Sequence, residues 1–248
     1  MLNDSNSTNS AAGCAVAFKN VKKRYDGASV CAIESVSFRV EHGEFVIFVG
    51  GSGSGKSTIL KLIAGLERPS EGEVVRPPRV AMAFQSVALL PWLTVFENAA
   101  FGVRAKESGE HEVRRAVEPY ITLVGLHGLE EKFPRELSGG QQARVGLARA
   151  LAVDPDILIL DEPFAALDAK TTHDLHEDLI KIWQQTKKTI LMVSHNIEEA
   201  VSLADRVLLV KAGRIECEWS INLPYPRREQ AEPFMHEVAR IRHAFFRE

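Results

Sequence analysis

Short, almost wholly apolar runs alternate along this chain with longer stretches in which apolar residues return every three or four positions. Phe45–Val49, Val80–Phe84, Ile157–Leu160, Thr189–Val193 and Val207–Val210 are runs of the first kind and predict strands buried on both faces. Helical spacing is carried by Ile59, Leu60, Leu62, Ile63 and Leu66, then by Val113, Val117, Tyr120, Ile121 and Val124. Val145, Leu147, Ala148 and Leu151 repeat it, as do Leu175, Leu179, Ile182 and Trp183. Near the start, Val16 and Phe18, and then Val36, Phe38 and Val40, alternate with polar residues and predict strands with one buried face. The fold class is therefore α/β.

Punctuation divides the chain. Residues 1–13 are rich in Ser, Asn, Thr and Ala and predict a flexible leader. Residues 14–248 read as one domain, with a core made of 14–86 and 151–222, a mainly helical insertion over 87–150, and a helical tail over 223–248. Pro69–Gly72 and Arg76–Pro78 predict turns, and Val207–Val210 reads as the last strand before the turn at Ala212–Gly213–Arg214. In the insertion, Leu89, Leu90, Pro91 and Trp92 form an apolar segment that is either core or a surface that meets a partner. In the tail, Phe234, Val238, Ile241, Ala244 and Phe245 mark a face that packs on this body or on another copy.

Bulk properties narrow the function. The 248 residues carry a formal net charge of -3, so no global basic field recruits nucleic acid or anionic lipid. No apolar run approaches the roughly 18 residues of a membrane-spanning helix, and the N-terminal stretch lacks the apolar centre of a signal peptide, so a cytoplasmic location is expected. Cys14, Cys31 and Cys217 are odd in number and far apart, which suggests free thiols rather than a disulfide framework or a zinc site.

The chemistry begins after Val49. Gly50, Gly51, Ser52, Gly53, Ser54, Gly55, Lys56, Ser57 and Thr58 have the spacing of a phosphate-binding loop between a strand and a helix. Backbone N–H groups can wrap a phosphate chain only where no Cβ blocks the approach, and Gly50, Gly51, Gly53 and Gly55 are read as providing that clearance. Lys56 is expected to reach the β- and γ-phosphates of a nucleotide, Ser57 to coordinate Mg²⁺, and the helix beginning at Lys56 to aim its positive end at the anion. A second anion site is suggested by Leu137, Ser138, Gly139, Gly140 and Gln141, which precede helix-forming residues but include no lysine. One nucleotide does not need both, so this second cradle is expected to serve the nucleotide of another copy.

Asp161 and Glu162 emerge from the apolar strand Ile157–Leu160 at the edge where parallel sheets bind ligands. Asp161 suits a metal ion, and Glu162 is placed to orient or deprotonate a water. Taken singly, Tyr25, Gln85 and His195 have ordinary roles open to them, as a packing aromatic, a solvated amide and a structural histidine; each also lies where a nucleotide or its metal could be touched.

In this order the motifs resemble those of the ATP-binding subunit of an ABC transporter, over nearly all of the chain from Ala15 onward. GGSGSGKST matches the phosphate loop, Gln85 the Q-loop and LSGGQ the signature; ILILDEP is similar to Walker B, AALD to the D-loop and SHNIEEA to the His switch. The resemblance implies a RecA-like P-loop ATPase core, an N-terminal antiparallel β subdomain and a helical insertion. It also implies a head-to-tail homodimer with each ATP held between Lys56 of one copy and Ser138, Gly139 and Gly140 of the other. Tyr25 would stack on adenine, Glu162 activate the attacking water, His195 hold the γ-phosphate, and Gln85 link Mg²⁺ to the insertion, which grips integral membrane permease subunits. Such a chain would sit peripherally on the cytoplasmic face of the plasma membrane and serve a solute-binding protein indirectly.

Within the family, FQSVALLPWLTVFENAAFG and the short tail look most like importers of nitrate, taurine and alkanesulfonates. Three departures stand out: Gln142 replaces an Arg after the signature, Ala165 occupies a D-loop position where Ser or Gly is common, and Ser86–Val87 replaces an acidic–Pro pair. Two alternatives share the catalytic motifs. One is a soluble ABC ATPase acting on nucleic acid or ribosomes, which the acidic balance disfavours; the other is an exporter or lipid-transport subunit.

Overall fold

The computed structural model describes residues 14–84, 88–107, 109–165 and 167–246. The expected leader, Gln85, and the Ser86–Val87 departure lie outside the described residues.

Four of the apolar runs become the middle of a six-stranded sheet, covered on both of its faces; the fifth, Val80–Phe84, forms an edge strand that is only half-buried and ends at Ala83, leaving Phe84 exposed. In chain order its strands are β3 (Phe45–Val49), β5 (Val80–Ala83), β6 (Ile157–Asp161), β7 (Thr189–Ser194), β8 (Arg206–Lys211) and β9 (Arg214–Ser220), arranged β5-β6-β7-β3-β8-β9. All neighbours are parallel except β8 and β9. A second sheet, antiparallel and ordered β2-β1-β4, consists of β1 (Cys14–Lys23), β2 (Ile33–Glu41) and β4 (Glu71–Val75). The helices are α1 (Lys56–Ala64), α2 (Val95–Ala100), α3 (Glu110–Leu123), α4 (Gly139–Ala152), α5 (Ala169–Thr186), α6 (Ile197–Leu203) and α7 (Ala231–Phe245).

The main sheet separates two cores. On one side Val46, Phe48, Ile159 and Val193 meet α1 and the small sheet, where Phe18 stacks on Phe38 at 4.5 Å and Phe38 meets Phe48 edge-on at 5.5 Å. On the other side Phe45, Ile47, Leu158 and Met192 join apolar residues of α2 to α7. The register puts Val49 opposite Ser194 and Leu209, and Asp161 opposite Val193, so the ends of β3, β6 and β7 are level.

Several details depart from the pattern-based reading. The stretch expected to be a turn at Pro69–Gly72 runs into β4, whose alternation is hidden because its side chains stay largely exposed. β9 extends the sheet beyond the strand expected to be last, with Ile215, Cys217 and Trp219 half-buried between exposed neighbours. Leu66 is not on the buried face of α1: the helix stops at Gly65 in the left-handed region, φ 74°, and Leu66 is left exposed. In the Leu-Leu-Pro-Trp segment the side chains divide, Leu89 packing on the core and Trp92 remaining 69% exposed.

The tail packs on its own body. Phe234, Val238 and Ile241 of α7 share a core with Ala200, Val201 and Leu203 of α6. Arg227, 3% exposed, secures the approach to α7: its guanidinium donates to the carbonyls of Leu223, Val201 and Ala204 and lies 4.1 Å from the centre of the Tyr225 ring. Tyr225 Oη in turn donates to Leu203 O at 2.6 Å.

Candidate nucleotide site

Level strand ends bring three separate parts of the sequence to one sheet edge. Gly50, Ser52, Gly53, Lys56, Ser57, Glu162 and His195 line a cleft of about 470 Å³ there. Lys56 opens α1 and is buried, its Nζ donating to Gly50 O at 2.9 Å and Gly51 O at 2.8 Å and lying 3.5 Å from Ser54 Oγ. Burial pulls this ammonium below the usual lysine range, while Glu162 and Asp161 push it back up.

The glycines divide into two kinds. Gly51 and Gly53 have open space where a Cβ would stand, so phosphate can approach their backbone, and Gly53 has φ 74°. At Gly50 and Gly55 the clearance is taken by the protein itself: a Cβ on Gly50 would collide with Val210 O, and one on Gly55 would stand 2.7 Å from Ala32 O. Those two let the loop nest against β8 and the start of β2 rather than admitting a ligand.

Ser57 Oγ donates to Asp161 Oδ1 at 3.4 Å. Two hard oxygen donors at this spacing suit Mg²⁺. Burial, and then the neighbouring Glu162 charge, raise the Asp161 carboxyl above the usual aspartate range. Glu162 holds the left-handed conformation with φ 47°, a strained state for a residue with a Cβ. Its N–H donates to Val193 O at 3.2 Å, and its Oε2 lies 3.5 Å from His195 Nδ1. The β6 and β7 exit loops are thereby joined.

Tyr25 stands beside α1, with its Oη 3.5 Å from Thr58 Oγ1 and Lys23 Nζ 4.9 Å from its ring centre. It lines a neighbouring cleft with Arg24, Cys31 and Glu34.

Ser138 caps α4 reciprocally: Gln141 N donates to Ser138 Oγ at 3.2 Å, and Ser138 N donates to Gln141 Oε1 at 2.9 Å. A Cβ on Gly140 would collide with Thr171 of α5, so this glycine permits close helix packing. Gln142, the departure after the signature, donates to Pro134 O at 3.0 Å and Leu137 O at 3.3 Å, bracing the turn that leads into Ser138. None of Ser138, Gly139, Gly140 and Gln141 lines the Lys56 cleft. Asp168 caps α5 by accepting from Lys170 N and Thr171 N.

Sequence reasoning passed over His176 and gave Glu199 no role beyond its place in SHNIEEA; the two are buried and bonded at 2.7 Å behind the two exit loops. The available signal was a histidine and a glutamate among apolar helix positions, but each became visible only when α5 and α6 were brought together.

A glycine-rich loop between strand and helix, a buried lysine, and acidic residues on an adjacent parallel strand define a P-loop nucleotide-binding protein. The protein-family comparison agrees: the model described as ABC transporter matches residues 33–165. The nitrate import ATP-binding protein of a Synechocystis species is 46% identical over 206 residues, 79% of this chain and 77% of its own length. An aliphatic sulfonates import ATP-binding protein of Bacillus cereus is 41% identical over 229 residues, covering 88% of this chain and 90% of that protein. Among solved structures, the dimeric post-hydrolysis state of the ATP-binding cassette MJ0796 bound to ADP and Pi matches with a TM-score of 0.74 and 33% identity, over 84% of this chain and 99% of that one. This chain belongs to the ABC transporter family and is one of its ATP-binding, ATP-hydrolysing subunits.

Proposed function

We propose that the chain powers the import of a small oxyanion, such as nitrate, taurine or an alkanesulfonate, by hydrolysing ATP at two shared sites of a head-to-tail homodimer. The observation that carries the chemistry is the meeting of Lys56, Ser57, Asp161, Glu162 and His195 at one sheet edge. Lys56 binds the phosphate chain, and the N–H groups of the loop from Gly50 to Thr58 wrap it. Ser57 and Asp161 would hold Mg²⁺, with Gln85 the further ligand that the motif match assigns, and the ion would supply charge neutralisation to the phosphate chain. Glu162 takes the proton of the attacking water, and His195, beside it, donates to the γ-phosphate.

The site is completed by a second copy. Ser138, Gly139, Gly140 and Gln141 lie at a helix N-terminus outside the Lys56 cleft, which supports their serving the partner's nucleotide. The dimeric state of the solved relative supports a homodimer. Residues 87–150 form the unit that contacts the permease subunits, with the exposed Trp92 on its surface. No helix among the described residues is long and apolar enough to cross a membrane, which suits a peripheral subunit on the cytoplasmic face. A solute-binding protein is coupled only through the permease, and the oxyanion class rests on the import names of the relatives.

The test is Glu162→Gln. ATP affinity is expected to stay within about twofold, while turnover falls on the order of a hundredfold or more and ATP-bound dimer accumulates. Retention of most of the activity would remove Glu162 as the base. Affinity purification of the wild-type protein from its own cells tests the partner: a co-purifying multi-spanning membrane protein supports the transporter role, and ribosomal proteins in its place would overturn it.

A further inference from the structure

Behind the cleft, α5 and α6 are tied by a buried polar contact between a histidine outside the motifs above and the second glutamate of SHNIEEA, to which no role was given. His176 Nε2 and Glu199 Oε1 are 2.7 Å apart, with side chains only 6% and 10% exposed. An ionised carboxylate can only accept, so the imidazole donates through Nε2. Its Nδ1 is buried with no hydrogen-bond partner among the described residues, and its ring meets Phe164 edge-on, with centres 5.0 Å apart. Burying a histidine and a glutamate where two apolar residues would pack is unfavourable unless both are held by well-formed contacts.

The position of the pair suggests what it does. Glu162 begins the loop from β6 to α5, and His195 begins the loop from β7 to α6. The first loop is a chain of short turns: Ala165 N donates to Glu162 O, Leu167 N donates to Phe164 O, and Asp168 caps α5. The second is equally braced, with Asn196 N bonded to Ser194 Oγ and Asn196 Oδ1 accepting from Glu198 N and Glu199 N. At their near ends the loops meet through Glu162 and His195, 3.5 Å apart. The helices they lead into meet through His176, two turns inside α5, and Glu199 in the first turn of α6. Loops and helices together therefore form a closed ring, and Phe164, two residues from Glu162, rests on the imidazole that closes it.

We propose that His176 is a positioning residue for ATP hydrolysis: bonded to Glu199 and in contact with Phe164, it holds the Glu162 and His195 loops in register. The proposal rests on the roles given above to Glu162 and His195. Displacement of a reacting group by about 1 Å can lower turnover on the order of a hundredfold, so a small shift of either loop is sufficient.

The experiment measures steady-state ATPase kinetics, ATP affinity and Tm for wild type, His176→Leu, His176→Gln and Glu162→Gln. His176→Leu is expected to lower kcat about tenfold or more when assayed well below its Tm, with KM and ATP affinity within about twofold. His176→Gln keeps a donor that reaches Glu199 and is expected to restore kcat to within about threefold of wild type. Should the leucine variant not fold, His176→Asn, whose shorter amide does not reach Glu199, takes its place. Wild-type kcat in the variant lacking the bond overturns the proposal, as does a glutamine variant no better than it. A Glu162→Gln protein that remains active overturns instead the reading of the site on which the proposal rests.

Discussion

Replacing Lys56 with Ala separates the nucleotide-binding role proposed for this side chain from any role in the fold. In the structure the ammonium makes two donor contacts, to Gly50 O and Gly51 O, each below 3 Å, and faces the carboxylates of Asp161 and Glu162. A hydrogen bond to a charged group contributes about 1.5–3 kcal/mol, so losing one such contact to a phosphate weakens binding about 10- to 150-fold. The upper part of that range is expected, because truncation also leaves Asp161 and Glu162 facing a polyanion without the Lys56 charge. The fold loses less: desolvation already disfavours the buried ammonium, and the Gly51 carbonyl lies on an exposed loop that water can reach. Calorimetric titration with a slowly hydrolysed ATP analogue, beside thermal melts of both proteins, measures the two effects separately. An affinity within twofold of wild type in a folded variant would refute the assignment. An equal loss of affinity and of the unliganded fold would show that Lys56 acts through the loop conformation.

Asp161→Asn addresses the oxygen proposed to hold Mg²⁺. Because burial and Glu162 raise the Asp161 carboxyl, the folded state binds more protons than the unfolded state between the ordinary aspartate pKa and the raised one; stability from this group is full below that window and falls as pH rises through it. The variant is therefore expected to melt at or slightly above the wild-type temperature near neutral pH while losing Mg²⁺-dependent turnover; a marked drop in Tm would contradict the electrostatic argument. Arg227→Met removes a buried guanidinium from the carbonyls of Val201, Ala204 and Leu223, which is expected to destabilise by about 3–5 kcal/mol and lower Tm by roughly 6–20 °C. A melt within 2 °C of wild type would mean that the tail contributes little to this body, a threshold set by the roughly 2–4 °C per kcal/mol of a chain this size.

Local sequence was sufficient for much of this protein because the relevant physics is local. An all-apolar run bounded by polar or turn-forming residues becomes a strand covered on both faces, as Phe45–Val49 and Ile157–Leu160 do. The run Gly50–Thr58 carries the loop's backbone freedom and its cation within nine consecutive positions. Ser138 and Gln141 cap their helix across three residues, a spacing visible in the sequence. Where local pattern was weak, the reading failed: β4 and β9 hold few buried side chains, and their place in a sheet comes from pairing with β1 and β8.

Tertiary structure decided the rest. Residues 104 positions apart, Ser57 and Asp161, meet because β3 and β6 flank β7 in matching register. It also decided which glycines face open space and which face Val210 and Ala32, since the same residue type serves both needs and only the surroundings distinguish them. The His176–Glu199 bond spans two helices whose packing no periodicity announces. Trp92 stays exposed while Leu89, three residues away, is packed, because a surface ends where the neighbouring elements end.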